Sequence, residues 1–255
     1  MVITKRSASI FGLAVAVWLV TAIVIANRDI VVTSNGNDYY DGGGGIDTIV
    51  FKGQIVPVLV DLGQGWAQGE GIGSDTLVNL ENIVGGRGSD RLHGDAVDNL
   101  IQGLDGDDEI AGREGNDTLE GGPGNDVLVG GTGNDRYIMR AGDGFDHIIE
   151  GLSGGGKDVL VFETPNAQMD VQRWGSALLI SITTIGGTDQ VVVWDHFLSP
   201  DARLDEIELN GKTWEIALWS EDIEPKSDLD CTLLWLFNDC PDRPSIAPIA
   251  FNPGL

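Results

Sequence analysis

Acidic residues recur at a fixed spacing in the middle of this chain, and they are the residues best suited to chemistry. From Gly85 the sequence divides every nine residues, without a gap, into six units that end at Ile138. Carboxylate and amide oxygens are the ligands that hard cations such as Ca²⁺ prefer. The sixth position of the six units is occupied by Asp90, Asn99, Asp108, Asp117, Asp126 and Asp135.

Glycine and apolar residues hold equally regular places in these units. Glycine permits the positive φ angles of a sharp turn, and residues six to nine are extended enough for a short strand whose eighth side chain points inward. Six first-position glycines have a chance probability of roughly one in 100,000 at this glycine content. The first position holds Gly85, Gly94, Gly103, Gly112, Gly121 and Gly130. The fourth holds Gly88, Val97, Gly106, Gly115, Gly124 and Gly133. The eighth holds Leu92, Ile101, Ile110, Leu119, Leu128 and Tyr137.

The strongly negative net charge limits the kinds of molecule that this chain can bind. The chain has 255 residues, 37 glycines and a formal net charge of -25. Nucleic acid is excluded as a partner, because its phosphates require clusters of Lys and Arg that this sequence lacks. Cations are the natural partner, although acidity alone could serve only to keep the protein soluble.

The pattern GGxGxDxUx in these units resembles the RTX, or haemolysin-type, calcium-binding repeat family. The resemblance implies an all-β parallel β-roll in which two units form one coil and several calcium ions lie between stacked turns. It also implies one column of Asp90, Asp108 and Asp126 and a second column of Asn99, Asp117 and Asp135. Further ligands would be the turn carbonyls of Gly103, Gly106, Gly112, Gly115, Gly121, Gly124, Gly130 and Gly133.

Electrostatics predicts that such a stack depends on a cation. Carboxylates about 4.8 Å apart repel each other by roughly 3 kcal/mol per pair at an effective dielectric constant near 20. Calcium reverses that interaction, and a core with one inward aliphatic residue per unit is thin, so we expect folding to be coupled to binding. The alternative is that the aspartates only form Asx-turns and that the coil folds without metal.

The sequences on either side divide the rest of the chain. Residues 27–84 are expected to form irregular coils with partial repeats, including one fitting unit with Asp47 as a separate upstream site. Residues 85–150 are the predicted roll, whose last turn involves Asp143 or Asp146. Strand-like segments separated by turn signals predict a β-rich C-terminal cap over residues 151–219. Residues 220–255 form an acidic, proline-rich tail, in which Cys231 and Cys240 could form a disulfide or remain free thiols.

The N-terminus predicts export. Lys5 and Arg6 precede an apolar run over residues 10–26, the arrangement of a signal peptide. The run is also long enough to remain as a membrane anchor, so the protein is expected to be secreted or, alternatively, held at the cell surface. Contact with a membrane is expected only through residues 10–26. Members of the RTX family often leave through a dedicated exporter that reads a C-terminal signal. The N-terminal apolar run of this chain indicates the general secretory route instead, so the sequence predicts export without fixing its route.

Catalytic constellations are absent from the sequence. His93, His147 and His196 are far apart, no HExxH motif occurs, and His93 at the outward ninth position is predicted to be solvated. GLSGG around Ser153 formally fits a nucleophile elbow, but it lacks the flanking strand and helix. The sequence therefore predicts a non-enzymatic calcium-binding module. Alternatives are an adhesin or surface-layer component with an unknown protein or glycan partner, or an accessory fragment of an extracellular hydrolase or lyase.

Overall fold

The computed structural model describes residues 2–3, 28–51, 53–150, 156–194, 196 and 204–216. These residues form 21 strands and no α-helix. Accordingly, none of them belongs to a helix able to cross a membrane. The N-terminal apolar run over residues 10–26, the loop with Ser153, and the tail with both cysteines lie outside the described residues.

Two long sheets contain all the strands. In order across the first sheet lie β1 (Val2–Ile3), β2 (Ile30–Val32), β4 (Thr48–Val50), β8 (Asn82–Val84), β10 (Leu100–Gln102), β12 (Thr118–Glu120), β14 (Arg136–Met139), β16 (Val159–Phe162), β20 (Glu206–Leu209) and β21 (Lys212–Glu215). In order across the second lie β17 (Gln168–Trp174), β18 (Ala177–Thr184), β19 (Gly187–Trp194), β15 (Phe145–Ile149), β13 (Val127–Thr132), β11 (Glu109–Glu114), β9 (Arg91–His93), β5 (Val58–Asp61), β6 (Trp66–Gly69), β7 (Gly73–Val78) and β3 (Tyr39–Asp41).

The chain winds alternately through the two sheets. Successive nine-residue units contribute one short strand to each sheet in turn, and strands within a sheet pair in parallel two units apart. Ile101 is aligned with Leu119 in the first sheet, and Leu92 is aligned with Ile110 in the second. Two units therefore form one coil, and the predicted all-β parallel β-roll is confirmed.

The core lies between the two sheets and consists of eighth-position side chains. Because side chains alternate along a strand, only the residue at this position faces the other sheet in each short strand. All six are fully buried: Leu92, Ile101, Ile110, Leu119, Leu128 and Tyr137. Each coil thus adds two inward side chains to one continuous apolar core.

The parallel stack extends in both directions beyond residues 85–150. β2 and β4 precede it in the first sheet, and β16 and β20 follow it with the same parallel register. At the C-terminal end β19 pairs in parallel with β15 and begins an antiparallel meander through β18 and β17. At the other end of the second sheet β5, β6 and β7 form an antiparallel meander that is followed by β3.

His93 is buried, so the prediction that it is solvated was wrong. β5 pairs with β9 and places Asp61 beside His93, with Asp61 Oδ2 3.8 Å from His93 Nδ1. Arg113 donates to both carboxylate oxygens of Asp61, at 2.9 and 2.6 Å, and to the carbonyl oxygen of Gly94 at 2.8 Å. Burial lowers the pKa of His93. The upstream meander therefore covers a face of the roll that the repeat alone would leave in water.

Replacing a single core residue should destabilise the roll strongly. Leu119→Ala removes a fully buried side chain from one coil, and we expect a loss of about 2 to 5 kcal/mol in the free energy of unfolding. Thr118→Ala, on the outer side of the same strand, is the matched control and should cost under about 1 kcal/mol. Chemical denaturation of both variants in the presence of calcium measures the difference. Equal losses would contradict the assignment of the core.

Candidate metal centre

The sixth-position side chains form two buried columns, one along each sheet. Each residue stands at or just before the start of a strand, so parallel pairing of the strands stacks the side chains. The six predicted ligands, Asp90, Asn99, Asp108, Asp117, Asp126 and Asp135, are all at most 3% exposed. The structure therefore brings them together in the two columns that the resemblance implied, with Asp146 continuing the column of Asp126.

One oxygen of each carboxylate joins two coils. Asp108 Oδ1 accepts a hydrogen bond from the backbone N–H of Asp90 at 2.7 Å, and Asp126 Oδ1 accepts one from Asp108 at 2.8 Å. In the other column Asp117 Oδ1 accepts a hydrogen bond from the N–H of Asn99, and Asp135 Oδ1 accepts one from the N–H of Asp117, both at 2.8 Å. These bonds connect residues 18 apart, so they are not the Asx-turns of the alternative interpretation. The aspartates nonetheless have a structural role that needs no metal.

The second oxygen of most of these carboxylates has no such partner. Within the described residues, Oδ2 is buried and accepts no hydrogen bond in seven aspartates: Asp47, Asp75, Asp108, Asp117, Asp126, Asp135 and Asp146. A buried polar atom left without a partner costs about 1 to 3 kcal/mol, and more when it is charged. A cation at these oxygens would remove that penalty.

We call a turn whose aspartate has an Oδ2 atom without a hydrogen-bond partner a free-oxygen turn. These turns share one backbone feature, the φ angle of the residue four places before the aspartate. In all seven of them the residue four places before the aspartate has a positive φ angle: Gly43, Gly71, Leu104, Arg113, Gly122, Gly131 and Gly142. Leu104 (φ 80°) and Arg113 (φ 89°) adopt this conformation although they carry side chains, which costs roughly 1 to 2 kcal/mol each.

Asp90 and Asn99 stand in turns of a second kind, which we call closed turns. Asp90 Oδ2 accepts a hydrogen bond from the N–H of Gly86 at 2.7 Å, and Asn99 Oδ1 accepts one from Asp95 at 2.9 Å. The Asn99 amide also donates to the carbonyl oxygen of Glu81 at 2.7 Å and to Asp95 Oδ1 at 3.1 Å. Two of the six predicted ligands thus have side-chain oxygens that already accept hydrogen bonds from the protein.

The first-position glycines are required for space rather than for a positive φ angle. A Cβ atom on Gly103 would lie 2.1 Å from Asp108 Oδ2 and 2.7 Å from the carbonyl oxygen of Gly121 in the next coil. Gly112, Gly121 and Gly130 are blocked in the same way by Asp117, Asp126 and Asp135. Absence of a side chain at the first position therefore lets the carboxylate oxygen and a carbonyl oxygen of the next coil approach the glycine backbone closely.

The fourth-position glycines make the close contact between successive turns. Gly106, Gly115 and Gly133 have positive φ angles of 130°, 118° and 135°. A Cβ atom on Gly106 would lie 2.5 Å from the carbonyl oxygen of Gly88, and one on Gly124 would lie 1.9 Å from that of Gly106. Turn carbonyls of one coil therefore point at the next coil.

The donor set suits calcium. No group of three or more His, Cys, Asp or Glu side chains converges in the part of the chain that the structure describes. An ion at a free-oxygen turn would accordingly be held by a few carboxylate oxygens together with backbone carbonyls. Such an all-oxygen shell is typical of Ca²⁺, whereas Zn²⁺ sites are built mainly from Cys and His. The residues fit the ion that the repeat pattern implies, and ligation by the individual residues stays a prediction.

The sequence analysis did not predict four members of the first-sheet column, which are Asp29, Glu81, Asp158 and Asp205. The carboxylate of Glu81 accepts a hydrogen bond from the N–H of Asp47 at 2.7 Å, and that of Asp158 accepts one from Asp135 at 2.8 Å. In the same way, the carboxylate of Asp47 accepts a hydrogen bond from the N–H of Asp29, and that of Asp205 accepts one from the N–H of Asp158. The available signal was an acidic residue two places before a buried apolar residue: Asp29 and Val31, Glu81 and Ile83, Asp158 and Leu160, Asp205 and Ile207. Among these, only Asp158 also has a glycine at the fourth position of its unit, Gly156.

Short parallel strands wound 18 residues to the coil, with a buried aspartate at most turns, define a parallel β-roll. A family model described as the RTX calcium-binding nonapeptide repeat (4 copies) matches residues 26–49, 84–119 and 102–137. These three segments carry RTX-type repeats, and the chain contains an RTX-repeat β-roll.

Comparison with whole proteins adds little beyond the repeats. Thirty-four chains of solved structures match. One is the extracellular lipase LipA from Serratia marcescens, with 18% identity and a TM-score of 0.37, in a match that covers 71% of this chain and 38% of the lipase chain. No curated protein matches the chain.

Acidification should stabilise the metal-free roll. Burial, opposed by backbone hydrogen bonds and reinforced by neighbouring carboxylates, raises the pKa of Asp108, Asp117 and Asp126 to about 7 and that of Asp146 to about 9. Because these pKa values lie above those of the unfolded chain, stability present near pH 4 is lost as the pH rises through 7.

We therefore expect the calcium-free protein to gain β signal in circular dichroism when the pH falls from about 8 to about 5.5. With saturating calcium the change should be small. Addition of about 0.5 M NaCl at pH 8 is the control, because salt screens surface repulsion but does not neutralise buried carboxylates. A gain of equal size from salt alone would assign the effect to net charge.

Filling the space beside one carboxylate should weaken both folding and calcium binding. Gly103→Ala places a methyl group against Asp108 Oδ2 and the Gly121 carbonyl, and no positive φ angle contributes to the effect. Gly186→Ala is the matched control, because its Cβ atom would be no closer than 3.6 Å to another atom. In the presence of calcium, the melting temperature should drop markedly for Gly103→Ala and stay unchanged for Gly186→Ala. Similar melting of the two variants would show that this space has no role.

Proposed function

We propose that this protein is a calcium-binding module that acts outside the cytoplasm, secreted or held at the cell surface, and that it folds when it binds several calcium ions. The observation that supports this most strongly is the set of buried aspartates whose Oδ2 atoms lack a hydrogen-bond partner within the described residues. In the contiguous repeats these are Asp108, Asp117, Asp126 and Asp135. A structural role in stacking accounts for Oδ1 of each residue and leaves Oδ2 for a cation.

Coupling of binding to folding follows from where the carboxylates lie. In the folded chain they are buried beside other carboxylates, whereas in the unfolded chain they are hydrated and far apart. A bound calcium ion supplies positive charge and a flexible shell of six to eight oxygens. Because the sites exist only when successive coils are stacked, the free energy of ion binding becomes free energy of folding.

Low cytoplasmic calcium would then keep the repeats unfolded during export. Extracellular calcium modules have dissociation constants of about 0.1 to 1 mM, so such sites are empty inside the cell and filled outside it. The apolar run over residues 10–26 supports export but lies outside the described residues. A cleaved signal peptide and a retained anchor are both compatible with this function.

We propose no catalytic role. His93 contacts Asp61, and His147 accepts a hydrogen bond from Trp194 Nε1 at 2.9 Å while the two rings stack 5.8 Å apart. Burial lowers the pKa of His147 to about 4, so it is neutral at physiological pH. His196 Nδ1 accepts a hydrogen bond from the N–H of Leu204. These contacts give all three histidines structural roles.

Titration with calcium tests the proposal. Far-ultraviolet circular dichroism of the full chain should show a cooperative gain of β signal with calcium near the millimolar range. Magnesium at the same concentrations is the control, because it shares the charge but demands octahedral geometry at shorter distances. A fully folded chain that responds to neither ion would refute folding on calcium binding.

Substitution of single aspartates tests the ligand assignment. Asp117→Asn and Asp126→Asn preserve the Oδ1 acceptor and remove the charge, and each should raise the calcium concentration at half folding roughly tenfold. Asp170→Asn, exposed on β17 in the C-terminal meander, makes the same change of charge away from the columns and should leave the midpoint unchanged. The same midpoint in all three variants would contradict the assignment.

A further inference from the structure

Two nine-residue units outside the contiguous repeat lie against each other near the N-terminal end of the molecule. They are residues 33–41, which contain β3, and residues 70–78, which contain β7. The two strands pair in parallel, with Tyr40 aligned to Leu77, and both of these side chains are buried. Only the first unit falls within a segment that the repeat family matches.

The contacts between these two units repeat those between successive coils of the roll. Asp75 Oδ1 accepts a hydrogen bond from the N–H of Asp38 at 2.8 Å, as Asp108 does from Asp90 at 2.7 Å. One position earlier, the N–H of Ser74 donates to Asn37 Oδ1 at 2.9 Å, as Asn134 does to Asn116 at 3.0 Å.

The close backbone contact of the roll is also present. A Cβ atom on Gly73 would lie 2.6 Å from the carbonyl oxygen of Gly36, as one on Gly106 would lie 2.5 Å from that of Gly88. The units are thus stacked like neighbouring coils, although 37 residues separate Asp38 from Asp75 instead of the usual 18.

The turn that ends at Asp75 has the features of a free-oxygen turn. Asp75 is 3% exposed, and its Oδ2 atom has no hydrogen-bond partner within the described residues. Gly71, four residues earlier, has a positive φ angle of 95°. The same combination occurs at Asp108, Asp117, Asp126 and Asp135 in the contiguous repeats.

The partner turn is closed. Asp38 Oδ2 accepts hydrogen bonds from Ser34 Oγ at 2.7 Å and from the Tyr40 hydroxyl at 3.3 Å. Ser34, four residues before Asp38, does not have a positive φ angle. One of the two turns therefore presents an oxygen for a cation, and the other supports it, as the closed turn at Asp90 supports Asp108.

We propose that the turn 70–75 binds a calcium ion of its own, through Asp75 Oδ2 and turn carbonyls, against the neighbouring turn 33–38. Glu70 occupies the first position of this turn, where the roll has glycine, and its side chain is exposed. This inference rests on the proposed calcium-binding function and adds a site between units that are distant in sequence. The ion would fasten β3, the last strand of the second sheet, to β7.

Counting bound calcium ions in matched variants of the full chain tests the site. Asp75→Asn keeps the acceptor for the N–H of Asp38 and removes the charge, and equilibrium dialysis should show one calcium ion fewer than in the unmodified chain. Asp117→Asn is the comparison, because it removes a ligand from the roll. A normal ion count in Asp75→Asn together with a reduced count in Asp117→Asn overturns the inference and leaves the proposed function standing. No calcium bound by the unmodified chain would overturn both.

Hydrogen exchange measured by mass spectrometry locates the effect and shows whether the variant is folded. In the unmodified chain, calcium should protect the amides of residues 34–41 and 71–78 as well as those of residues 85–138. In Asp75→Asn the first two segments should lose their calcium-dependent protection while the roll retains it. If calcium protects only residues 85–138 of the unmodified chain, the site at Asp75 does not exist, whatever the stability of the variant.

Discussion

The structure depends on one hydrogen bond, in which a sixth-position carboxylate accepts the backbone N–H of its counterpart in the preceding coil. Because that contact recurs 18 residues apart along both columns, it sets the register of the coils and buries an acidic side chain at most turns. Burial of charge is costly unless the charge is compensated. The cation dependence that we propose would therefore be a consequence of how the coils are stacked.

Turn conformation distinguishes the carboxylates that keep a free oxygen from those that do not. A positive φ angle four residues before the aspartate accompanies an Oδ2 atom without a partner, whereas an ordinary angle accompanies a hydrogen bond that closes the turn. Leu104 and Arg113 adopt the positive angle despite their side chains. Strain of this kind persists only when the surrounding structure imposes it, and here the coils on either side do so.

Both ends of the second sheet depart from the regular coil. A uniform roll would expose a row of unpaired backbone groups at each end, which would invite pairing with other chains. β17 and β18 continue the second sheet at its C-terminal end as an antiparallel meander. At the other end the meander of β5, β6 and β7 brings the units of Asp38 and Asp75 together. The same meander buries His93 through the contact of Asp61 with Arg113.

The nine-residue period by itself predicted the strands and the buried eighth-position residues, because both depend on residues within one unit. The two columns followed from the resemblance to the repeat family, which implies two units to each coil. Which aspartates keep a free oxygen was decided only by the tertiary structure, since Asp90 and Asp108 occupy the same position and differ in the backbone of their turns. Glu81 and Asp205 lack the glycine pattern and join the column through pairing of their strands. Asp38 and Asp75 meet because an antiparallel meander returns the chain over many residues, and no local spacing in a sequence encodes such a return.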